Sequence, residues 1–289
     1  YRAGGTIGAI MGGGAIWLAS YPKSGNTWIR LALKSLLARG ENVALDDIAR
    51  FGTAVTGRRL FDDMLEVESG HLTDAEVELL RPVLHDALFA SGAQEQLIKV
   101  HDAWFRTAAG RALFDAHHSR AAIYVLRDPR DVAVSWARFS ARPIDWAIGF
   151  LADPAAVLAP DRRGLSGNVR QFLGRWSAHV TSWIDDSALA PLVVRYEDMH
   201  ADPAGTLARI ATHLGWAASD TTIGGAVAAT RFDRLAEQER QHGFAEIPDS
   251  ASRFFVSGRA GGWRDILSAE QAATIERDHA AVMRRFGYL

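Results

Sequence analysis

Residues Ala15–Trp28, AIWLASYPKSGNTW, decide how the rest of the chain is read. Ala15–Ser20 is a continuous apolar run with no polar face, short enough for a strand buried on both sides. From about Thr27 to Ala38 apolar residues recur at helical spacing, with Trp28, Leu31 and Leu36 among them. The polar loop between them therefore joins a strand to a helix. Such a junction points successive backbone N–H groups, and the positive end of the helix dipole, at one spot. Gly25 lets a ligand come close to the backbone and Lys23 adds a point charge. Ser24, Asn26 and Thr27 add neutral hydrogen-bond donors. The expected guest is an anion, most naturally a nucleotide phosphate. Yet the order is not G-x-x-x-x-G-K-S/T: the lysine precedes the glycine, and Thr27 follows Asn26. No acidic strand end suited to magnesium is found either, which disfavours an ATP or GTP hydrolase.

Working outward, short apolar runs alternate with helical patterns. Strands are expected at Gln96–His101, Ala121–Leu126 and Pro191–Tyr196. Helices are expected at Asp74–Phe89, Arg106–His117, Pro129–Arg138, Asn168–Ile184, Pro203–Leu214, Thr221–Ala229, Arg231–Gln241 and Ser268–Phe286. Ser140–Gly167 and His242–Gly262 read as long connections that could act as lids. Strands alternating with helices imply parallel pairing through right-handed crossovers. The expected fold is α/β, a three-layer sandwich with a central parallel sheet, like a P-loop nucleotide-binding fold. Residues 1–13 read as a flexible glycine-rich leader and 14–289 as one domain.

The 289 residues suffice for a substantial core. A net charge of -2 gives no global attraction to nucleic acid or anionic membrane, so neither is an expected partner and any anion must be held by local donors. The uncharged stretch Ala3–Pro22 is too glycine-rich to span a bilayer. With no cysteine, disulfides and thiolate chemistry are excluded, consistent with a cytoplasmic setting. Only three lysines occur, Lys23, Lys34 and Lys99, in a chain that otherwise uses arginine. Two of them fall in candidate site motifs, where a compact ammonium differs from a planar guanidinium.

Period-two alternation puts Lys99 and His101 on one face at the end of their strand, the edge where ligands bind in open parallel sheets. A histidine there suits a general base near neutral pH. Arg127 ends the next strand and Ser135 lies in the helix after it, so both can converge on a second anion. Arg130 and Asp131 read as a surface helix cap. His117 and His118 are adjacent, hence on different helical faces, and read as exposed helix-end residues, not a metal pair. Asp102 is open between orienting His101 and simply making a turn.

Tyr21–Trp28 resembles the 5'-phosphosulfate loop of the cytosolic, PAPS-dependent sulfotransferases, Y-P-K-S/A-G-T/N-T-W. Tyr124–Ser135 is similar to their 3'-phosphate motif, Val194–Asp198 to their V-R-Y-E-D segment, Thr230–Phe232 to their T-x-F and Lys99–His101 to their K-x-H. The resemblance implies that Lys23, Ser24, Gly25, Asn26 and Thr27 bind the 5'-phosphosulfate of 3'-phosphoadenosine 5'-phosphosulfate (PAPS). It places Trp28, Tyr196, Thr230 and Phe232 at adenine, and Arg127 and Ser135 at the 3'-phosphate. It makes His101 the base, with Lys99 on the transferring sulfuryl group and Lys23 on the leaving oxygen. Ser135 is further implied to engage Lys23 and restrain futile donor hydrolysis. The product would be 3',5'-adenosine bisphosphate, and no metal is required. The family's F-x-R-K-G-x-x-G-x-W reads F-F-V-S-G-R-A-G-G-W at Phe254–Trp263, so Val256 and Ser257 stand where two cations are expected. Gly258 is retained, and Arg259, or else Arg253, is expected to replace the missing charge near Ser257. The family's dimer motif is absent from Ser268–Leu289, and the oligomeric state is left open.

The expected acceptor is a hydroxyl on a small molecule or natural product, an amine remaining open. Candidate walls are Trp104, Phe105, Phe139, Trp146, Phe150, Phe244 and Phe255. Two other readings compete: a P-loop-type kinase, which expects G-K-S/T and an acidic magnesium ligand, and a catalytically silent nucleotide-binding module. A purely structural interaction protein fits poorly with polar residues gathered at strand ends.

Overall fold

The first apolar run forms strand β1 (Ala15–Ser20) in the computed structural model, which describes residues 14–52, 54–89, 95–159, 166–247 and 253–289. The expected leader, residues 1–13, lies outside the described residues. After β1 come α1 (Asn26–Leu37), α2 (Arg58–Leu65), α3 (Asp74–Phe89), β2 (Gln96–Val100), β3 (Ser119–Leu126) and α4 (Pro129–Phe139). Then follow α5 (Ile144–Ala152), β4 (Val157–Leu158), β5 (Gln171–Phe172), α6 (Trp176–Thr181), β6 (Leu192–Arg195) and α7 (Tyr196–Ala201). The chain continues through α8 (Pro203–His213), α9 (Asp220–Ala229), α10 (Phe232–His242) and α11 (Ala269–Arg285).

The main sheet runs β2-β1-β3-β6 with every pairing parallel. Side chains alternate across it, and the alternation sorts the core into two layers. On one face Trp17, Ala19, Val100 and Tyr124 pack with Trp136, Leu151, Trp176, Val180 and Val282, from α4, α5, α6 and α11. On the other, Ile16, Leu18, Ile123 and Val194 pack with Ile29, Leu33, Leu207 and Ile223, from α1, α8 and α9. The three-layer α/β sandwich with its central parallel sheet is thus present. Because all four strands point the same way, Ser20, Val100, Leu126 and Arg195 end at one edge, and the candidate motifs follow them there.

One expected helix is not formed, and a second forms only in its later part. Arg106–His117 instead folds back on itself: Arg106 and Ala112 pair as an antiparallel bridge around Gly110, whose φ of 79° reverses the chain. Only Ala116–His118 makes a single 3-10 turn, capped by the Asp115 carboxylate. His118 is part-buried and bonds Asp86 at 2.9 Å, so it is not a free helix end. In Asn168–Ile184 the first part pairs as β5 with β4, and Gly174 (φ 63°) breaks the chain before α6 and a π turn at Ser182–Asp186. The connection 140–167 holds α5 and β4, with residues 160–165 outside the described set; 248–252 of the second connection also lie outside it.

Candidate active site

The loop after β1 is held open by local bonds. Gly25 caps α1 with φ 104°, and a Cβ there would lie 2.6 Å from the Tyr196 ring, so both conformation and close packing call for glycine. Asn26 Nδ2 donates to Leu18 O at 3.0 Å and Ser20 Oγ at 3.2 Å. Its amide therefore fastens the loop to β1, contrary to the expectation of a ligand-facing side chain; what Asn26 keeps for a ligand is its backbone N–H. Ser24 is buried, and its hydroxyl has no partner among the described residues. Lys23 takes φ 69°, and its Nζ lies between the Phe139 and Phe254 rings, 3.9 and 4.1 Å from their centroids. Burial, with Lys99 and Arg127 nearby, pushes its pKa down to about 7 against the pull of Glu246 and Glu239.

His101 follows the last residue of β2. Its Nδ1 is 2.9 Å from Ser20 O and 3.3 Å from Ser20 Oγ. A carbonyl only accepts, so Nδ1 carries the proton and Nε2 is left with the lone pair. Burial and then Lys99 push the imidazole pKa down to about 3, against the Ser20 bond, so the ring is neutral at physiological pH. Behind it, His179 Nε2 donates to His101 O at 3.0 Å while its Nδ1 accepts from the Tyr124 hydroxyl at 2.8 Å. Trp183 Nε1 donates to Asp102 O at 2.9 Å. The Asp102 carboxylate receives Arg81 at 2.6 and 2.7 Å and Phe172 N at 3.0 Å. Asp102 sits at a bend, and its carboxylate bonds the scaffold, not the imidazole, fixing the backbone beside the base.

Arg127 donates to Lys23 O at 3.1 Å and Arg259 O at 3.2 Å, and its guanidinium lies 4.1 Å over the Tyr196 ring. It ties the first loop to the glycine-rich segment 258–263. Asp131 accepts from Gly261 N (2.7 Å) and Trp263 N (2.9 Å), holding that segment from below. Arg130 bonds Asp128, Glu276 and Tyr288 O. Arg130 and Asp131 are buried anchors, not the surface cap expected; Asp128 supplies the cap. Gly258 (φ 56°) lies against Phe232, where a Cβ would come within 2.1 Å of the ring. Trp28 meets Tyr196 edge-on at 5.6 Å and His200 at 4.9 Å, Thr230 Oγ1 bonds Ala226 O, and Val256 is exposed. Arg259 is 70% exposed and its guanidinium pairs loosely with Asp265 at 3.6 Å.

One cavity of about 550 Å³ is lined by Lys23, Gly25, Asn26, Thr27, Trp28, Lys99, His101, Arg127, Ser135, Tyr196, Thr230, Phe232, Ser257, Gly258 and Arg259. Of the donor-site and catalytic candidates only Ser24 is missing from its wall. Phe139 and Phe255 line it too; Trp104, Phe105, Trp146, Phe150 and Phe244 do not. Trp104 and Phe244 are buried in the core, and Trp146 stacks on Phe150 away from the cavity. The sequence reading missed Glu246, His200, Arg138, Leu158, Asn168 and Gln171, and gave Arg253 only as a second choice. Glu246, Asn168 and Arg253 lie in irregular segments with no periodicity to mark them, Leu158 and Gln171 sit in two-residue strands, and Arg138 and His200 are on helices whose pattern marks no ligand. Among the described residues no group of three or more His, Asp or Glu side chains converges as a metal site would. No helix there is long and apolar enough to cross a membrane.

The sulfotransferase domain, as a sequence family, matches residues 14–287. The chain belongs to the sulfotransferase family. It is 24% identical to sulfotransferase 1A1 of Canis lupus familiaris, over 93% of this chain and 83% of the relative. It is 25% identical to sulfotransferase 1B1 of the same species, over 89% and 79%. Among solved structures, mouse sulfotransferase SULT7A1 complexed with PAP superimposes with a TM-score of 0.56 at 18% identity, over 93% of this chain and 84% of that one. Retinol dehydratase in complex with retinol and PAP gives 0.58 at 20% identity, over 93% and 81%. At those identities the likeness establishes the shared fold, which in this sulfotransferase is the β2-β1-β3-β6 sheet and its two helical layers.

Proposed function

We propose that the chain transfers the sulfuryl group of PAPS to a hydroxyl of a small-molecule acceptor, with His101 as general base. The observation that carries this is the placement of His101: its Nδ1 is fixed by Ser20 O, and it shares one cavity wall with Lys23 and Lys99. The cavity suits the donor. Its wall carries the cationic groups of Lys23, Lys99 and Arg127 and the aromatic rings of Trp28, Tyr196 and Phe232. Ser24 Oγ and Arg127 Nε are buried polar atoms without a partner among the described residues, as groups awaiting phosphate oxygens would be. Solved relatives in complex with PAP, and one with retinol, support the donor and a small acceptor.

The bound donor supplies a sulfuryl group on a good phosphate leaving group. His101 Nε2 takes the acceptor's hydroxyl proton as its oxygen bonds to sulfur. Lys99 faces the sulfuryl oxygens, and Lys23 meets the negative charge left on the 5'-phosphate as the S–O bond breaks. Positioning and charge do most of this work, as in phosphoryl transfer. Arg127 and Ser135 hold the 3'-phosphate, with Arg259 swinging from Asp265 to supply the charge that Val256 and Ser257 lack. Phe139, Phe255 and Leu158 form an apolar acceptor wall, and the amides of Asn168 and Gln171 give it polar points. A cytoplasmic location stays part of this reading.

His101→Ala should lower turnover by at least about a hundredfold, within the usual worth of a positioned base. Binding of the bisphosphate product by calorimetry should be nearly unchanged. Turnover within a few-fold of wild type would sink the assignment.

A further inference from the structure

Glu246 has no part in the steps above, yet donors from separate elements converge on it. Arg30 Nη1, from α1, reaches its carboxylate at 2.6 Å. Lys99 Nζ, from β2, is 3.4 Å away, and Thr27 Oγ1, at the start of α1, is 3.5 Å away. Arg30 is itself fixed: it is 2% exposed and donates to Ile48 O at 2.7 Å and Phe51 O at 3.1 Å. The guanidinium is a rigid strut, so the carboxylate it grips has a set position. Lys99, by contrast, ends a flexible four-carbon chain. Its ammonium pairs with the Glu246 carboxylate, and both residues line the cavity with His101 and Lys23.

We propose that Glu246 is a positioning residue for sulfuryl transfer: anchored by Arg30, its carboxylate keeps the Lys99 ammonium charged and in place beside His101. The proposal rests on the role given above to Lys99. Four charged or titratable groups act on that ammonium: Glu246 from the segment after α10, Arg30 from α1, Lys23 from the first loop, and His101 at its own strand end. Three of the four are cations or would become so, and burial also disfavours the charge. The Glu246 carboxylate opposes all of these. It stays ionised because Lys99 and Arg30 outweigh the burial that pushes it up.

Glu246→Gln keeps the shape and the oxygen that Arg30 grips, while removing the charge. Expected are a kcat lowered about tenfold at neutral pH, an alkaline limb of kcat moved down by roughly one pH unit, and bisphosphate affinity little changed. Glu246→Asp should recover part of the rate. The three lysines make a direct readout possible: isotope-labelled lysine ε-carbons give three NMR titrations, with Lys99 assigned by its loss in Lys99→Arg. In Glu246→Gln the Lys99 midpoint should fall. An unmoved midpoint overturns the proposal, and so does tighter bisphosphate binding with kcat kept, which would mark Glu246 as an anion that the donor displaces. If the wild-type chain transfers no sulfuryl group, the functional reading fails by itself, while the lysine titration still reports on Glu246.

Discussion

Lys23 is strained in two ways. Its φ of 69° lies in the left-handed region, a cost of order 1–3 kcal/mol for a residue with a side chain, and its ammonium is buried between two phenyl rings. Strain of this kind persists where the surroundings enforce it, here through Gly25 on one side and the Arg127 bond to Lys23 O on the other. Burial, Lys99 and Arg127 bring its pKa down to about 7. The charged form is the one that meets the leaving oxygen, so activity is lost as pH rises. The kcat/KM for donor should fall above about pH 7. The limb for kcat should lie higher, because the bound anion favours the ammonium. Parallel pH profiles of the two parameters check this, and a kcat/KM limb near the ordinary lysine value would refute it. Lysine scarcity pointed to Lys23 in the sequence. Its aromatic enclosure did not show there, because Phe139 and Phe254 come from α4 and from the segment before Gly258.

Among elements, the end of β2 is braced from several sides. Asp102 joins three pieces: Arg81 of α3, Phe172 of β5 and, through its own carbonyl, Trp183 of the π turn. Ala103 N also bonds Phe172 O at 2.8 Å, so the strand carrying the base is tied to Gln171 on the cavity wall. The Arg81–Asp102 pair is 1% exposed on both sides. Asp102→Asn leaves a buried guanidinium without its counter-charge and should destabilise by about 3–5 kcal/mol, read by urea unfolding. At a temperature where the variant stays folded, kcat should fall while bisphosphate affinity holds. Unaltered kcat would show that this brace serves stability alone. The sequence showed β2 clearly, since its alternation is local. Segment 106–117, and the first part of 168–184 ahead of α6, were misread as helical for the converse reason. Their apolar residues have helical spacing, but Gly110 and Gly174 turn the chain, and pairing with Phe105 and with Ala103 and β4 takes up the backbone groups.

At the scale of the molecule, four histidines are buried in neutral form. His85 and His101 are pushed down to about 3, and His179 and His279 to about 4, each chiefly by burial. In the unfolded chain each would protonate near 6.5, so below that value the unfolded state binds more protons. Their contribution is therefore whole above about pH 6.5 and is lost as pH falls toward 3–4. Each histidine should cost about 1 kcal/mol over the first pH unit below 6.5. Urea midpoints measured from pH 7.5 to 5 should fall steadily; a flat series would mean that these rings are not neutral in the folded state. Lys23, whose pKa is about 7, titrates at the upper end of this series and moves the midpoint in the same direction, so the histidine fall is read below about pH 6.

The sequence alone determined the strand–loop–helix around Lys23 and Gly25, the Lys99/His101 pair at a strand end, and the family to which the chain belongs. Each of these is a local matter: alternation along a strand, periodicity along a helix, and a few letters at their junction. The tertiary structure decided the partners. Only the folded chain brings Glu246 to Lys99 across 147 positions, Arg81 to Asp102, and Arg127 to the Arg259 backbone. Asn26 illustrates the division. The sequence put it in the anion loop, and the fold turned its amide back onto β1. Hydrogen bonds and ion pairs between distant segments depend on how layers stack and where irregular chain crosses the sheet edge, and no short-range pattern records that.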